Sequence, residues 1–380
     1  MPTHTQPSRA RRAAMSLVHQ PRRRQDWNGL SAAEILARNP PGKTAPLVVL
    51  AILIDLFNKQ HAARHKEVSF KTRQERANFL RRFYRDLKHK AGFATLPDPR
   101  NLGQRHIQAM VTLWQREGLA PATIQTYLSF LRALAQWLGK HGLVRKPQHY
   151  GLTRDEFERH AASGQDKSWA ARRIDIDALI DKIGAYDQHI GAALKLMRTL
   201  GIRRKEAIMF RPHQCVVPFE ATGLSPQKRK ADTYARIKNG SKGGRERFIA
   251  LDTPERLAAI EHARQVAATQ DAHIGNPAHE LKQAMRRFDY VMEKFGITKK
   301  QLGVTAHGLR HEVLINQFET LTGAAAPVRG GTKPPATLDR RARQEVAELA
   351  GHSRKRASTA YLGGVQMRQH RRKSDPAGDA

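Results

Sequence analysis

From Pro46 to Leu143 the apolar residues recur at helical spacing, and no other feature narrows the possible folds so far. Leu47 to Phe57 reads as one dense apolar helix. Phe79, Leu80, Phe83, Tyr84 and Leu87 form the stripe of a second, and Ile107, Met110, Leu113 and Trp114 that of a third. Pro121 suits the first position of a fourth, whose stripe runs Ile124, Tyr127, Leu128, Leu131, Leu134 and Leu138 and stops before Gly142. A period near 3.6 rather than 2 places each stripe on one face. Such faces leave water by packing on one another, so a bundle of about four helices is expected. Arg73, Arg76, Arg81, Arg82, Arg85, Lys88 and Lys90 are expected to point outward, as a basic face suited to phosphates.

Basic character extends along the whole chain. Its 67 Lys and Arg outnumber 34 Asp and Glu, for a net charge of +33. An excess of that size fits a polyanion partner and disfavours an enzyme of small neutral metabolites. Charge alone leaves open a ribosomal or chromatin-type binder. Cys215 is the single cysteine, which excludes an intrachain disulfide framework and a zinc ribbon and fits a reducing cytosol. The longest apolar run, Pro46 to Phe57, is interrupted by Asp55 and is too short to span a bilayer. The N-terminus shows arginines but no apolar signal core, so a cytoplasmic location without membrane contact is expected. His61 and His65 stand at i, i+4 spacing without a third ligand nearby, so no metal is expected.

Residues 1–45 carry Arg9, Arg11, Arg12, Arg22, Arg23 and Arg24 ahead of Asp26 and read as a disordered basic arm. A helical domain over 46–145 follows, then a polar linker over 146–168 and a second domain over 169–365, with a basic tail over 366–380. In the second domain, Ile174–Ile183 and Ile190–Leu200 read as helices. Gly201 ends one helix, Arg203 falls in the turn, and Glu206 opens the next, where an acid suits the dipole. Thr233–Lys238 and Arg245–Leu251 flank Asn239-Gly-Ser-Lys242-Gly-Gly244, a β-hairpin with a lysine at its tip. Helices over Pro254–Thr269 and Pro277–Phe295 come next. Thr305 is expected to cap a helix bearing His307 and Arg310 on one face at i, i+3 spacing. A Gly-, Ala- and Pro-rich stretch, 320–338, reads as a flexible loop. Arg340–Leu349 is a short helix stopped by Gly351, and Ser353 is expected to cap a last short helix carrying Tyr361.

Taken singly these are ordinary features. A turn lysine is usually solvated, a helical histidine usually structural, and a tyrosine in an apolar helix usually packs. Their order is what distinguishes the chain: Gly-x-Arg followed by Glu206, Lys-Gly-Gly-Arg in a hairpin, His307-Gly-Leu-Arg310-His311, Gly-His352, and Tyr361 nine residues later. This series resembles the tyrosine recombinases, or phage integrase family, over about residues 46–365, and Ala120-Pro-Ala-Thr-Ile-Gln-Thr-Tyr-Leu resembles the last long helix of that family's core-binding domain.

The resemblance implies a mainly α fold with a small antiparallel β-sheet: a helical, SAM-like core-binding domain and an α+β catalytic domain. It implies a site-specific recombinase that cleaves and rejoins double-stranded DNA through a 3′-phosphotyrosyl link, without metal, ATP or other cofactor, in the service of a mobile element. A homotetramer on paired sites and an accessory directionality factor are the expected partners, and the nucleoid the expected place. A type IB topoisomerase-like or resolvase activity, or a non-catalytic DNA-binding protein, is the alternative. By matching position the catalytic set is Arg203 (with Arg204 as neighbour), Lys242 (or Lys238), His307, Arg310, His352 and the nucleophile Tyr361. His311 matches a supporting histidine, and Glu206 an acid that orients the first arginine. The interval from Arg310 to His352 is longer than usual for the family, with 320–338 as the apparent insertion.

Overall fold

The computed structural model describes residues 29–59, 67–159 and 162–364. The chain divides into two compact units, one ending at Arg159 and the other beginning at His160. His61 and His65, the tail 366–380 and the arginines of the basic arm lie outside the described residues.

The α-helices of the first unit's described residues are α1 (Ala32–Ala37), α2 (Pro46–Phe57), α3 (Phe70–His89), α4 (Gln104–Arg116), α5 (Pro121–Trp137) and the one-turn α6 (Arg154–Phe157). Proline at the first position starts α2 and α5, where its missing N–H is no loss. Ser69 Oγ caps α3 by accepting from Thr72 N at 3.2 Å. The stripes meet as expected, around Phe79, whose ring lies 4.5 Å from that of Tyr127 and 6.2 Å from that of Trp114. Three expectations need correction. Helix α1 lies inside the segment read as a disordered arm; Ser31 and Glu34 form a capping box, Ile35 is buried, and Arg100 donates to the carbonyls of Leu36 and Asn39. Six residues with one buried side chain give no stripe to read. Much of the expected linker is also structured, because Tyr150 and Leu152 enter the core and the Tyr150 hydroxyl bonds Gln104 and Arg145 N. Finally, Arg81, Arg82, Arg85, Lys88 and Lys90 face outward, but Arg76 is buried with its guanidinium 5.5 Å from the centre of the Trp137 ring.

The second unit is built around α8 (Gln188–Leu200), with α7 (Ile176–Tyr186) before it and α9 (Arg204–Ile208) after it. Eight residues of α8 are buried. It crosses α7 where Gly191 meets Gly184, an approach that a methyl group on Gly191 would block. A three-stranded antiparallel sheet follows: β1 (Val216–Pro218), β2 (Thr233–Ile237) and β3 (Arg247–Ala250) in that spatial order. The hairpin has Ile237 opposite Arg247. Strand β1 was not anticipated, since three residues ending in proline carry no alternation.

The remaining helices are α10 (Pro254–Val266), α11 (Leu281–Lys294), α12 (His307–Thr322), α13 (Ala336–Leu349) and α14 (Thr359–Leu362). The stretch 320–338 differs from the flexible loop expected. Helix α12 runs on to Thr322, Pro327–Arg329 make a 3-10 turn, and Arg329 bonds Asp166, Asn316 and Glu319. Neither expected cap forms: Thr305 offers its carbonyl to Trp169 Nε1 and Gly308 N, and Ser358 rather than Ser353 precedes α14. Fold class is otherwise as the sequence implied, mainly helical with a small antiparallel sheet.

Candidate active site

Gly201 ends α8 in the left-handed conformation at φ +62°, packed against Val313 of α12. That stop brings Arg203 to the N-cap of α9, where Glu206 accepts from the Arg203 amide and from its Nη1, both at 2.8 Å. The same carboxylate receives Arg247 of β3, Nη1 at 3.1 Å and Nη2 at 2.7 Å. Arg247 Nε donates to Leu349 O at 3.0 Å, so it ties the sheet to both α9 and α13. Burial alone would raise the Glu206 carboxyl, but the hydrogen bonds and charge of Arg247, joined by those of Arg203, hold it at about 2.

Arg310 enters from α12 and is fully buried. Its Nη1 donates to Gly201 O at 2.6 Å, its Nη2 to Ala350 O at 2.5 Å, and its Nε to the Tyr361 hydroxyl at 3.2 Å. Arg203 Nη2 reaches the same Ala350 oxygen at 3.2 Å. Two guanidiniums therefore converge on one carbonyl at the end of α13, immediately before Gly351 and His352. Arg203 Nη2 lies 3.5 Å from His352 Nε2. A guanidinium can only donate, which makes this Nε2 the acceptor and assigns the ring proton to Nδ1.

Tyr361 is buried within its own subunit, and three histidine rings surround it, those of His311 at 4.8 Å and of His307 and His352 at 6.2 Å each. The histidines are held neutral. Burial lowers His352 to about 4, helped by Arg203 and Arg310. Burial also lowers His307 to about 4, helped by Arg310, Arg203 and Lys167. His311, almost wholly buried, falls to about 3. Burial pulls Arg310 down to about 10, which leaves it charged at neutral pH.

Five of the six residues expected from sequence thus meet in one cluster: Arg203, His307, Arg310, His352 and Tyr361. Lys242 does not join them. It lies in the exposed 3-10 turn Lys242–Gly244 and has no hydrogen bond to the cluster among the described residues. Its turn is nevertheless close. Gly240, at φ +78°, lets the hairpin rest on the Lys205–Glu206 backbone; a Cβ there would lie 2.6 Å from Lys205 O. Sequence reasoning missed Arg247 as a member of the site. The signal was available, because Arg247 shares a strand face with the buried Ile249, and a charge on the inward face needs a buried partner.

Residues 57–144 match the family model described as phage integrase, N-terminal, and residues 159–315 match the one described as integrase. The chain belongs to the tyrosine recombinases. The integrase match takes in Arg203, Lys242, His307 and Arg310; His352 and Tyr361 lie beyond it and are brought beside these residues by the fold of this recombinase. Solved structures share the fold. A lambda integrase tetramer bound to a Holliday junction aligns with a TM-score of 0.51 at 15% identity, over 93% of this chain and 85% of that one. The Tn1549 transposon integrase in complex with transposon right end DNA aligns with a TM-score of 0.50 at 12% identity, over 84% and 98%. No curated protein matches the chain. No helix of the described residues is long and apolar enough to cross a membrane.

Proposed function

We propose that this recombinase cleaves and rejoins double-stranded DNA at specific sites for a mobile genetic element, with Tyr361 as nucleophile. The observation that carries the reading is the convergence of Arg203 and Arg310 on the Ala350 carbonyl, with the Tyr361 hydroxyl on the third arm of Arg310. Arg203 shares its one carboxylate, Glu206, with Arg247, and Arg310 pairs with carbonyls and a hydroxyl only, so the positive charge in excess here favours an anion; a phosphodiester under attack gains charge on its non-bridging oxygens. The permanently charged forks of Arg203 and Arg310 suit those oxygens in a way a lysine would not.

In this scheme the Tyr361 oxygen forms a bond to phosphorus as the bond to the 5′-oxygen breaks. A 3′-phosphotyrosyl ester remains, and a free 5′-hydroxyl leaves. Arg310 Nε steadies the developing phenolate, and neutral His307 receives the tyrosine proton. His352 donates to the phosphate; the incoming anion offsets the burial and the field of Arg203 that hold its ring neutral. Lys242 protonates the leaving 5′-oxygen, which requires its turn to close over the DNA. Rejoining reverses the steps, so the ester stores the bond energy and ATP has no part.

The first unit, with its outward Arg81, Arg82, Arg85 and Lys88, serves as the clamp on DNA backbone. Four copies on paired sites in the cytoplasm, at the nucleoid, with an accessory factor setting direction, complete the proposal. The test is a nicked suicide duplex bearing the ends of the element. The protein should form a covalent adduct in EDTA, and Tyr361→Phe should bind the duplex yet form none. An adduct from Tyr361→Phe would mean a different nucleophile.

A further inference from the structure

Helix α14, which carries Tyr361, has only four residues and cannot hold itself in place; neighbouring segments must fix it. Two of them come from distant parts of the second unit. One is a strap, 162–168, just ahead of Trp169. Ser163 is buried and donates its amide to Thr359 O at 2.9 Å, on the first residue of α14. Further on, the Lys167 carbonyl lies against Gly308 at the start of α12, beside His307, so closely that a Cβ on Gly308 would overlap it. The other segment is the 3-10 turn Pro327–Arg329, within the stretch that lengthens the interval from Arg310 to His352. Gly363, two residues beyond Tyr361, is pinched between them: a Cβ there would lie 3.2 Å from Ser163 O and 3.3 Å from Val328 N.

One ion pair joins strap and turn. Arg329 Nε donates to Asp166 Oδ2 at 2.8 Å, while Asp166 Oδ1 accepts from Ser168 N at 2.8 Å. The other end of Arg329 is anchored on α12, to Glu319 at 2.6 Å and Asn316 at 3.0 Å. Glu319 also accepts from Ala326 N at 2.9 Å, which fixes the start of the turn. Both carboxylates and the guanidinium are at least three-quarters buried. A buried pair of this kind contributes little net stability but holds a particular geometry. Nothing in the pair touches the tyrosine. It acts on the two walls between which the end of α14 sits.

We propose that Asp166–Arg329 is a latch in which Arg329 is a positioning residue for Tyr361, closing the strap and the inserted turn around the end of α14. The inserted stretch is then a working part of the active site, and the strap, the covalent continuation of the first unit's chain, is linked to the nucleophile. The inference rests on the reading of Tyr361 as nucleophile.

The test compares wild type, Arg329→Ala, Arg329→Lys and Asp166→Asn in single-turnover adduct formation on the suicide duplex, with DNA affinity and thermal midpoint measured alongside. Misplacing a reacting group by about 1 Å costs roughly a hundredfold in rate. Arg329→Ala and Asp166→Asn should therefore slow the cleavage step roughly 10- to 100-fold, with affinity changed less than about twofold; the midpoint should fall in Arg329→Ala, which leaves Asp166 and Glu319 without their arginine, and be nearly kept in Asp166→Asn. Arg329→Lys, which keeps a positive charge between Asp166 and Glu319, should recover part of the rate lost in Arg329→Ala. Unchanged rates in both Arg329→Ala and Asp166→Asn would overturn the latch. So would losses in rate, affinity and midpoint that run in parallel in Asp166→Asn, the milder change. If wild type itself forms no adduct, the reading of Tyr361 fails first; a wild type that cleaves beside variants that cleave equally well rejects only the latch.

Discussion

Replacing Arg247 by alanine tests the electrostatic frame of the site. Arg247 and Glu206 are both buried, with side-chain exposures of 8% and 0%. Removing the arginine leaves the carboxylate with the Arg203 amide and guanidinium as its charge-assisted partners. Breaking a buried ion pair from one side costs about 3–5 kcal/mol, because the surviving charge stays desolvated. Since Arg203 remains, the lower end applies, about 3 kcal/mol. For a unit of this size each kcal/mol moves the midpoint by roughly 2–4 °C, so the transition of the second unit should fall by roughly 6–12 °C. Scanning calorimetry on the full chain reads it directly. A second comparison removes the ambiguity of a simple cavity. Arg247→Met combined with Glu206→Leu deletes both charges and should cost less than the sum of the two single changes, with a coupling of about 0.5–3 kcal/mol. An Arg247→Ala transition within about 2 °C of wild type, or strictly additive single changes, would refute the claim that Glu206 depends on Arg247.

Three further outcomes are expected. The histidine pKa values in the fold are depressed below 6.5, to about 4 for His307 and His352 and about 3 for His311, so the unfolded chain binds protons first as pH falls. Stability present above pH 6.5 should decline toward pH 4, ahead of the titration of Glu206 between 4.5 and about 2; a calorimetric midpoint that stays flat from pH 6.5 to 4 would contradict this. Gly308→Ala should destabilise the second unit by about 2 kcal/mol, since its methyl group would overlap the Lys167 carbonyl and lie 2.8 Å from Trp169 Cδ1; a midpoint equal to wild type would show that the strap yields freely. DNA affinity should drop roughly 10³- to 10⁵-fold between 50 and 200 mM salt if six to ten phosphates are contacted, and a flat titration would argue against a backbone clamp.

The residues of the cluster were legible because each is marked locally. Gly201 sets the turn that presents Arg203, the i, i+3 step aligns His307 with Arg310, and Gly351 stops a helix just before His352. What the sequence concealed was set by distant contacts. Arg76 looked like one more member of a basic face until Trp137, from another helix, received it. The stretch 320–338 has the composition of a loose loop, and Arg329 fixes it in place by bonds to α12 and to Asp166, more than 150 residues earlier. Strand β1 exists because β2 offers it an edge, as Val216 pairs with Ala235. Lys242 shows the opposite limit: its motif is clear, yet no element among the described residues draws it into the cluster.

Arg310 spends one donor each on Gly201, Ala350 and Tyr361, and two of its five N–H groups remain for a ligand. A side chain tethered at three points has already surrendered its rotamer entropy during folding, so an arriving anion need not immobilise it again. Stiffness of this sort makes the cluster selective for shape: an anion that cannot present its oxygens to the two remaining directions gains little, however strong its charge.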